Sequence, residues 1–74
     1  MYLIEGFEGY CYVVESIEAD TCIKNVLKRK GIMKNSILTI RKKRKFYPYV
    51  MEVNNCFIAI EENLIEKIKV HPYA

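Results

Sequence analysis

Short runs of alternating or β-branched residues recur along the chain and predict a mainly β structure. The run YCYVVESI, residues 10–17, lacks the three-to-four spacing of an amphipathic helix and predicts the first strand. The run ILTIR, residues 37–41, alternates apolar with polar side chains, which is typical of a half-buried strand. Three more strand-like runs follow, over residues 49–53, 56–60 and 67–70.

One helix is predicted between the first two strands. Asp20 or Thr21 can cap its start, and Gly31 can end it in the left-handed conformation. The basic residues at 28–30 fall in its last turn, where positive charge interacts favourably with the helix dipole. The apolar stripe at helical spacing consists of Cys22, Ile23, Val26 and Leu27.

Turn residues and isolated apolar pairs complete the predicted architecture. Asn54 and Asn55 tolerate positive φ and predict a two-residue hairpin turn between the third and fourth strands. Two apolar pairs are predicted to reach the core, Leu3 with Phe7 at the mouth of a barrel and Leu64 with Ile65 as its plug. One strand, a helix and four further strands at close spacing suit a small, strongly bent barrel.

Length and composition limit the chain to one domain. Its 74 residues are 51% hydrophobic and 28% charged, which suits a single domain over residues 1–74. No apolar run approaches the roughly 20 residues that a membrane-spanning helix needs. Glu5 and Glu8 stand where a secretory signal would carry basic residues. We therefore expect a soluble, cytoplasmic protein that is not embedded in a membrane.

The charge distribution is uneven. Ten of the twelve basic residues lie between Lys24 and Lys45, and no acidic residue occurs between Asp20 and Glu52. Such a basic stretch favours an anionic partner, although folding could bring acidic residues from elsewhere in the chain beside it. The acidic residues that follow the last basic run are Glu61, Glu62 and Glu66.

The densest basic run has several interpretations. It consists of Arg41, Lys42, Lys43, Arg44 and Lys45, and Phe46, Tyr47 and Tyr49 follow it. Lysine and arginine neutralise phosphates and aromatic rings stack on bases, so the run could bind nucleic acid. The interpretation that we favour is a solvated hairpin tip or edge strand, where lysine discourages aggregation. A third interpretation is docking on an acidic protein surface or on anionic lipid headgroups.

The cysteines do not predict a metal centre. Cys11, Cys22 and Cys56 have no C-x-x-C spacing, so we expect reduced, largely buried thiols. His71, the single histidine, falls in a predicted tail, and ferrous iron prefers histidine and carboxylate ligands. We expect no metal site and no cofactor, beyond weak binding of transition metal ions at the surface.

Residues suited to catalysis are sparse. The chain has one histidine, no serine or cysteine activated beside it in sequence, and no glycine-rich phosphate loop. The adjacent Glu61 and Glu62 more readily charge the start of a helical turn than share a proton. We therefore do not expect an enzyme.

Residues 27–70 resemble the signature of the FeoA family, in which a helix ends in leucine, then Gly-Ile, a tight turn and strands with alternating valine or isoleucine. Gly31 and Ile32 resemble the Gly-Ile pair, and Pro48 resembles the proline that opens the next strand. Strand positions that fit the pattern are Leu38, Ile40, Ala59, Ile60, Ile68 and Val70. The departures are Lys34 and Asn35 for proline and glycine, and Asn55 for glycine. Both asparagines can adopt left-handed backbone.

The resemblance implies an SH3-like β-barrel of about five strands with one α-helix between the first two strands. It also implies a cytoplasmic accessory role in ferrous iron transport, in which the chain binds a FeoB-type GTPase permease and catalysis belongs to that partner. The predicted partner-binding residues, expected to lie outside the core, are Gly31, Ile32, Arg41, Lys42, Lys43, Arg44, Lys45 and Tyr47. A nucleic-acid-binding SH3-like barrel that uses residues 41–45 is the alternative, although no stable nucleic-acid complex is expected. A monomer is expected, because the lysine-rich segment beside an exposed edge strand opposes a symmetric contact.

Overall fold

The computed structural model describes residues 1–73, which form one antiparallel sheet of five strands. The strands are β1 (Cys11–Ile17), β2 (Ile37–Lys42), β3 (Tyr49–Val53), β4 (Cys56–Ile60) and β5 (Ile68–Pro72). The helices are α1 (Thr21–Arg29) and α2 (Glu62–Ile65), and a single 3₁₀ turn covers Leu3–Glu5. The strands and the helix predicted from sequence are therefore confirmed.

The sheet order is β4-β3-β2-β1-β5, so β1 pairs with β2 on one side and with β5 on the other. The register shifts between Val14 and Ser16 in β1 and between Ile40 and Lys42 in β2, and such irregularities bend a strand. Within the described residues, β4 and β5 form the two edges and do not pair with each other. The predicted mainly β class with a helix between β1 and β2 is confirmed, and the sheet stays open.

The hydrophobic core lies on the inner face of this sheet. Alternate side chains of the strands point inward, as the period of two in an extended strand requires. The buried strand residues are Tyr12, Val14, Leu38, Ile40, Tyr49, Met51, Val53, Ile60, Ile68 and Val70. Ile65 of α2 is also fully buried and Leu64 packs against the core half-buried, so the predicted plug is confirmed.

The ends of α1 follow the sequence prediction closely. The Asp20 carboxylate accepts a hydrogen bond of 3.0 Å from the Ile23 amide, which caps the helix. Gly31 has φ +87°, and the Ile32 amide donates to the Leu27 carbonyl at 2.9 Å. This pattern is a Schellman motif, whose accompanying apolar contact joins the residue after glycine to the last helical turn.

The apolar stripe of α1 is narrower than predicted. Leu27 is fully buried and Ile23 half-buried, whereas Cys22 and Val26 are exposed. The prediction that all four residues face the core is wrong for these two. The helix contacts a small sheet, which covers only the strip through positions 23 and 27.

The leading segment is anchored by a different residue set from the one predicted. Leu3 is fully buried, but Phe7 is 67% exposed and packs edge-to-face on Tyr10, with ring centroids 6.3 Å apart. The prediction that Phe7 anchors the segment is therefore wrong. Backbone bonds hold the segment instead, since the Val70 amide donates to the Met1 carbonyl at 2.7 Å.

The hairpin between β3 and β4 has the predicted two-residue loop. Asn54 and Asn55 have φ values of +52° and +64°, and Val53 lies opposite Cys56 at the first pair. Positive φ at both loop residues defines the turn that matches the twist of paired strands.

Within residues 1–73, no helix has the length and apolar character needed to cross a membrane.

Candidate partner-binding site

The basic run occupies the end of β2 and the connection to β3, and we call residues 41–47 the basic loop. Two of its cations have partners inside the molecule. Arg41 donates from Nε to the Glu52 carboxylate at 2.7 Å, and its Nη2 contacts the same oxygen. Lys43 donates from Nζ to the Gly6 carbonyl at 2.7 Å, and its amide donates to the Glu8 carboxylate at 3.0 Å. These two residues fasten the loop to the sheet and to the leading segment.

The remaining side chains of the basic loop face solvent. Lys42, Arg44 and Lys45 are exposed, and none of them has an ion pair within the described chain. Phe46 is 85% exposed with φ +70°, and the Lys45 ammonium lies 5.2 Å from the centre of its ring. Tyr47 is 63% exposed. The basic loop therefore exposes three cations and two aromatic rings to solvent.

Acidic residues lie beside the aromatic rings of the basic loop, an outcome that the charge distribution had left open. A shallow groove has residues 46–48, at the end of the basic loop, on one side and Glu61, Glu62 and Asn63 on the other. Burial raises the pKa of the Tyr49 phenol, and the charge of Glu62 raises it further. The acidic end of this groove therefore offsets part of the positive field of the loop.

The helix exit divides into one buried and one accessible residue. Ile32 is fully buried within the core, so the expectation that it lies outside the core is wrong, and its role in partner binding stays a prediction. Its burial follows from the Schellman motif, which turns the residue after Gly31 inward against Leu27. Gly31 is half-exposed, and a Cβ added there would lie 3.2 Å from Nδ2 of Asn54. A direct contact at the helix exit is thus restricted to Gly31 and its exposed neighbours.

Sequence reasoning missed a second basic surface beside this helix exit. An open groove of about 320 Å³ lies between α1 and β1. Lys24, Lys28 and Lys34 line it, and Ile17 and Met33 provide apolar surface. The spacing of Lys24 and Lys28 on one helical face was a usable signal. The position of Lys34 could not be predicted in this way, because only the turn after α1 brings Lys34 to the groove.

The cysteines and the histidine are dispersed. Cys22 and Cys56 are exposed and Cys11 is half-buried, so the expectation of largely buried thiols is wrong. His71 lies in β5 and not in a tail, and its Nδ1 is 3.0 Å from the Glu15 carboxylate. Among residues 1–73, no three His, Cys, Asp or Glu side chains converge to hold a metal ion. Weak surface binding of transition metals stays a prediction.

Comparison with protein families identifies the chain. The family model described as the FeoA domain matches residues 2–72. This chain belongs to the FeoA family. The match spans the sheet, α1 and the basic loop together, and it confirms the resemblance carried by the residues after α1. A comparison with curated proteins finds no match.

Solved FeoA structures share this fold. The FeoA protein from Chlorobium tepidum superposes with a TM-score of 0.89 and 24% identity, covering 100% of this chain and 71% of that one. An iron uptake regulatory protein (FeoA) gives a TM-score of 0.90 at 18% identity, covering 99% and 96%. The Stenotrophomonas maltophilia FeoA, complexed with zinc and described as an SH3 domain protein, gives 0.80 at 22% identity, covering 96% and 89%. At these identities the similarity establishes the fold.

Proposed function

We propose that this chain is a non-enzymatic, cytoplasmic accessory protein that binds a FeoB-type ferrous iron permease. The FeoA family match over residues 2–72 is the observation that carries the proposal. The S. maltophilia FeoA has been suggested to act as a ferrous iron transport activating factor, a role in keeping with an accessory function. In this scheme GTP hydrolysis and iron translocation belong to the permease, and this chain contributes a binding surface.

The exposed part of the basic loop is the proposed contact. Lys42, Arg44 and Lys45 carry charge that is free to meet an acidic surface, which speeds association more than it tightens binding. Phe46 and Tyr47 add exposed aromatic area, the kind of side chain that contributes most to binding energy once a partner buries it. The ion pair of Arg41 and the backbone contacts of Lys43 support the loop from below.

Nucleic acid is the competing partner, and the charges around the loop disfavour it. A phosphate backbone requires a continuous basic track, but Arg41 and Lys43 are engaged inside the molecule. Glu61 and Glu62 beside Phe46 would also repel a polyanion that tried to stack there. A protein surface with a compact acidic patch fits these constraints better.

Affinity capture from detergent-solubilised membranes of the source cell tests the proposal. The tagged protein is incubated with and without nuclease, and bound proteins are identified by mass spectrometry. We expect a FeoB-type permease that stays bound after nuclease treatment. Recovery of nucleic acid that nuclease removes, without the permease, would instead support the alternative function.

A matched pair of charge reversals locates the contact. Lys42→Glu, Arg44→Glu and Lys45→Glu together should abolish recovery of the permease. Lys24→Glu, Lys28→Glu and Lys34→Glu change the net charge equally at the groove beside α1 and should leave recovery intact. If only the second set abolishes recovery, the contact lies at the helix groove and our assignment to the basic loop is wrong.

A further inference from the structure

Strand β4 is an open, uncharged sheet edge. It pairs only with β3, and its sequence CFIAI contains neither a charged residue nor proline. Phe57 is 71% exposed, and Cys56 and Ala59 are exposed as well. An edge of this kind presents unpaired backbone groups to any strand that can lie beside it.

The opposite edge of the same sheet is protected. Met1 exchanges backbone hydrogen bonds with Val70 of β5, and Tyr2 forms an isolated bridge with Lys69. Strand β5 also contains Lys69 and Pro72, which discourage pairing at an edge. Across the described residues, no comparable loop or terminal segment hydrogen-bonds to the free side of β4. The β5 edge is therefore covered by the first residues of the chain, whereas the β4 edge is open.

The hairpin register determines which backbone groups β4 offers. The two-residue loop makes Val53 and Cys56 a hydrogen-bonded pair, and such pairs alternate along antiparallel strands. Met51 with Ile58 is the next hydrogen-bonded pair. The amides and carbonyls of Phe57 and Ala59 consequently point away from β3, toward the free edge.

We propose that β4 pairs with β4 of a second copy of this chain, antiparallel and about a two-fold axis at Ile58. Phe57 then lies opposite Ala59 of the partner subunit, and both residues use the backbone groups that β3 leaves free. The same pair recurs on the other side of the axis, so one register satisfies both copies. Each exposed phenyl ring meets a small side chain, which allows close packing across the strands.

The basic loops do not oppose this arrangement. The sequence predicted a monomer on the ground that lysines lie beside the exposed edge. Residues 43–47 of the basic loop enter β3 at the end that faces Ile60 of β4, whereas Arg41 and Lys42 lie in β2 and line a shallow hollow with Val50 and Phe57. Antiparallel pairing puts residues 43–47 of the two copies at opposite ends of the shared strands, and strands β3 and β4 of each copy lie between the two β2 strands that carry Arg41 and Lys42. Like charges are thus kept apart.

The contact is small, so the dimer should be concentration-dependent. Stable interfaces bury roughly 1,200–2,000 Å² in total, more than one short strand pair provides. Sedimentation equilibrium over a wide protein concentration range measures the association directly. We expect the wild-type chain to show a reversible monomer–dimer equilibrium.

Two lysine substitutions test the role of the edge. Phe57→Lys adds a charge to an exposed position that does not hold the core, and should raise the dimer dissociation constant by at least about tenfold. Phe46→Lys is the matched control, because it replaces another exposed phenyl ring, 85% exposed against 71% for Phe57, in the basic loop. A wild-type chain that stays monomeric at millimolar concentration would overturn the proposal, as would equal effects of the two variants.

Cysteine cross-linking tests the register. In a background with the three native cysteines replaced by serine, Ile58→Cys puts two thiols across the axis, about 4.5 Å apart at Cα, within disulfide reach. Phe57→Cys in the same background separates the Cα atoms by about 7–8 Å or more, too far for a disulfide. We expect covalent dimers only with Ile58→Cys under mild oxidation. Cross-linking through Phe57→Cys alone would overturn the proposed register.

Discussion

Ile32 offers a test of whether the helix exit contacts a partner or supports the core. The side chain is fully buried and completes the Schellman motif against Leu27. Ile32→Ala removes buried methyl and methylene groups and should cost about 2–5 kcal/mol. A domain of 74 residues has a total free energy of unfolding of about 4–11 kcal/mol, so this loss is a large share.

Urea denaturation followed by far-ultraviolet circular dichroism measures the loss. We expect the midpoint of Ile32→Ala to fall by at least about 1 M, with the slope unchanged. Met33→Ala is the control, since Met33 is 42% exposed and should shift the midpoint little. Equal shifts for the two variants would show that the helix exit does not depend on Ile32.

A conservative substitution separates stability from binding at the same position. Ile32→Val should cost only about 0.5–1.5 kcal/mol and leave the domain folded. Because the side chain does not reach the surface, we expect this variant to capture a membrane partner as the wild-type chain does. A folded Ile32→Val protein that loses the partner would refute the reasoning and restore a direct contact.

Three further predictions address backbone strain, titration and the surface ion pair. Gly31→Ala should lower the free energy of unfolding by about 1–2 kcal/mol because of the left-handed backbone, and the close Cβ contact should add to this loss. Gly9→Ala is the control, since Gly9 has φ +84° but open space around it, and should show only the loss from the backbone in the same urea assay. Burial, and to a smaller extent Glu62, raises the pKa of Tyr49. The associated contribution to stability is complete below about pH 10 and is lost as the pH rises through the pKa of the folded state. In an ultraviolet titration, Tyr49→Phe should remove a tyrosine that ionises late, and removal of one that ionises early would contradict this. Arg41→Ala should cost no more than about 1 kcal/mol, because its ion pair is partly exposed to solvent. The difference from wild type in thermal unfolding should shrink at high salt, and a salt-independent loss would argue against this.

Strand positions were predictable from sequence because their signals are local. Alternation placed Leu38 and Ile40 on the inner face of β2, and the two loop asparagines determined the hairpin between β3 and β4. Asp20 and Gly31 likewise marked the ends of α1 through capping chemistry that depends on neighbouring backbone alone.

The burial of individual side chains was less predictable because it depends on the extent of the neighbouring surface. A helical stripe that included Cys22 and Val26 was amphipathic, but the small sheet covers only part of it. Phe7 is a large apolar residue of the kind that anchors a segment, but its side chain stays exposed. In the same way, an inventory of charges could not show that Arg41 and Lys43 would be engaged within the molecule.

The sheet order has a consequence for how the domain assembles. Strand β1 is the first strand made, yet one of its two neighbours is β5, the last, with Tyr12 opposite Pro72. Pairing of β1 with β5 must first overcome the entropy cost of closing a long loop. The hairpin of β3 and β4 closes a loop of only two residues. On the ribosome, one side of β1 therefore stays unpaired until β5 has been synthesised. We expect Val70→Ala mainly to accelerate unfolding in stopped-flow experiments, and a slower folding arm instead would show that this pairing belongs to the nucleus.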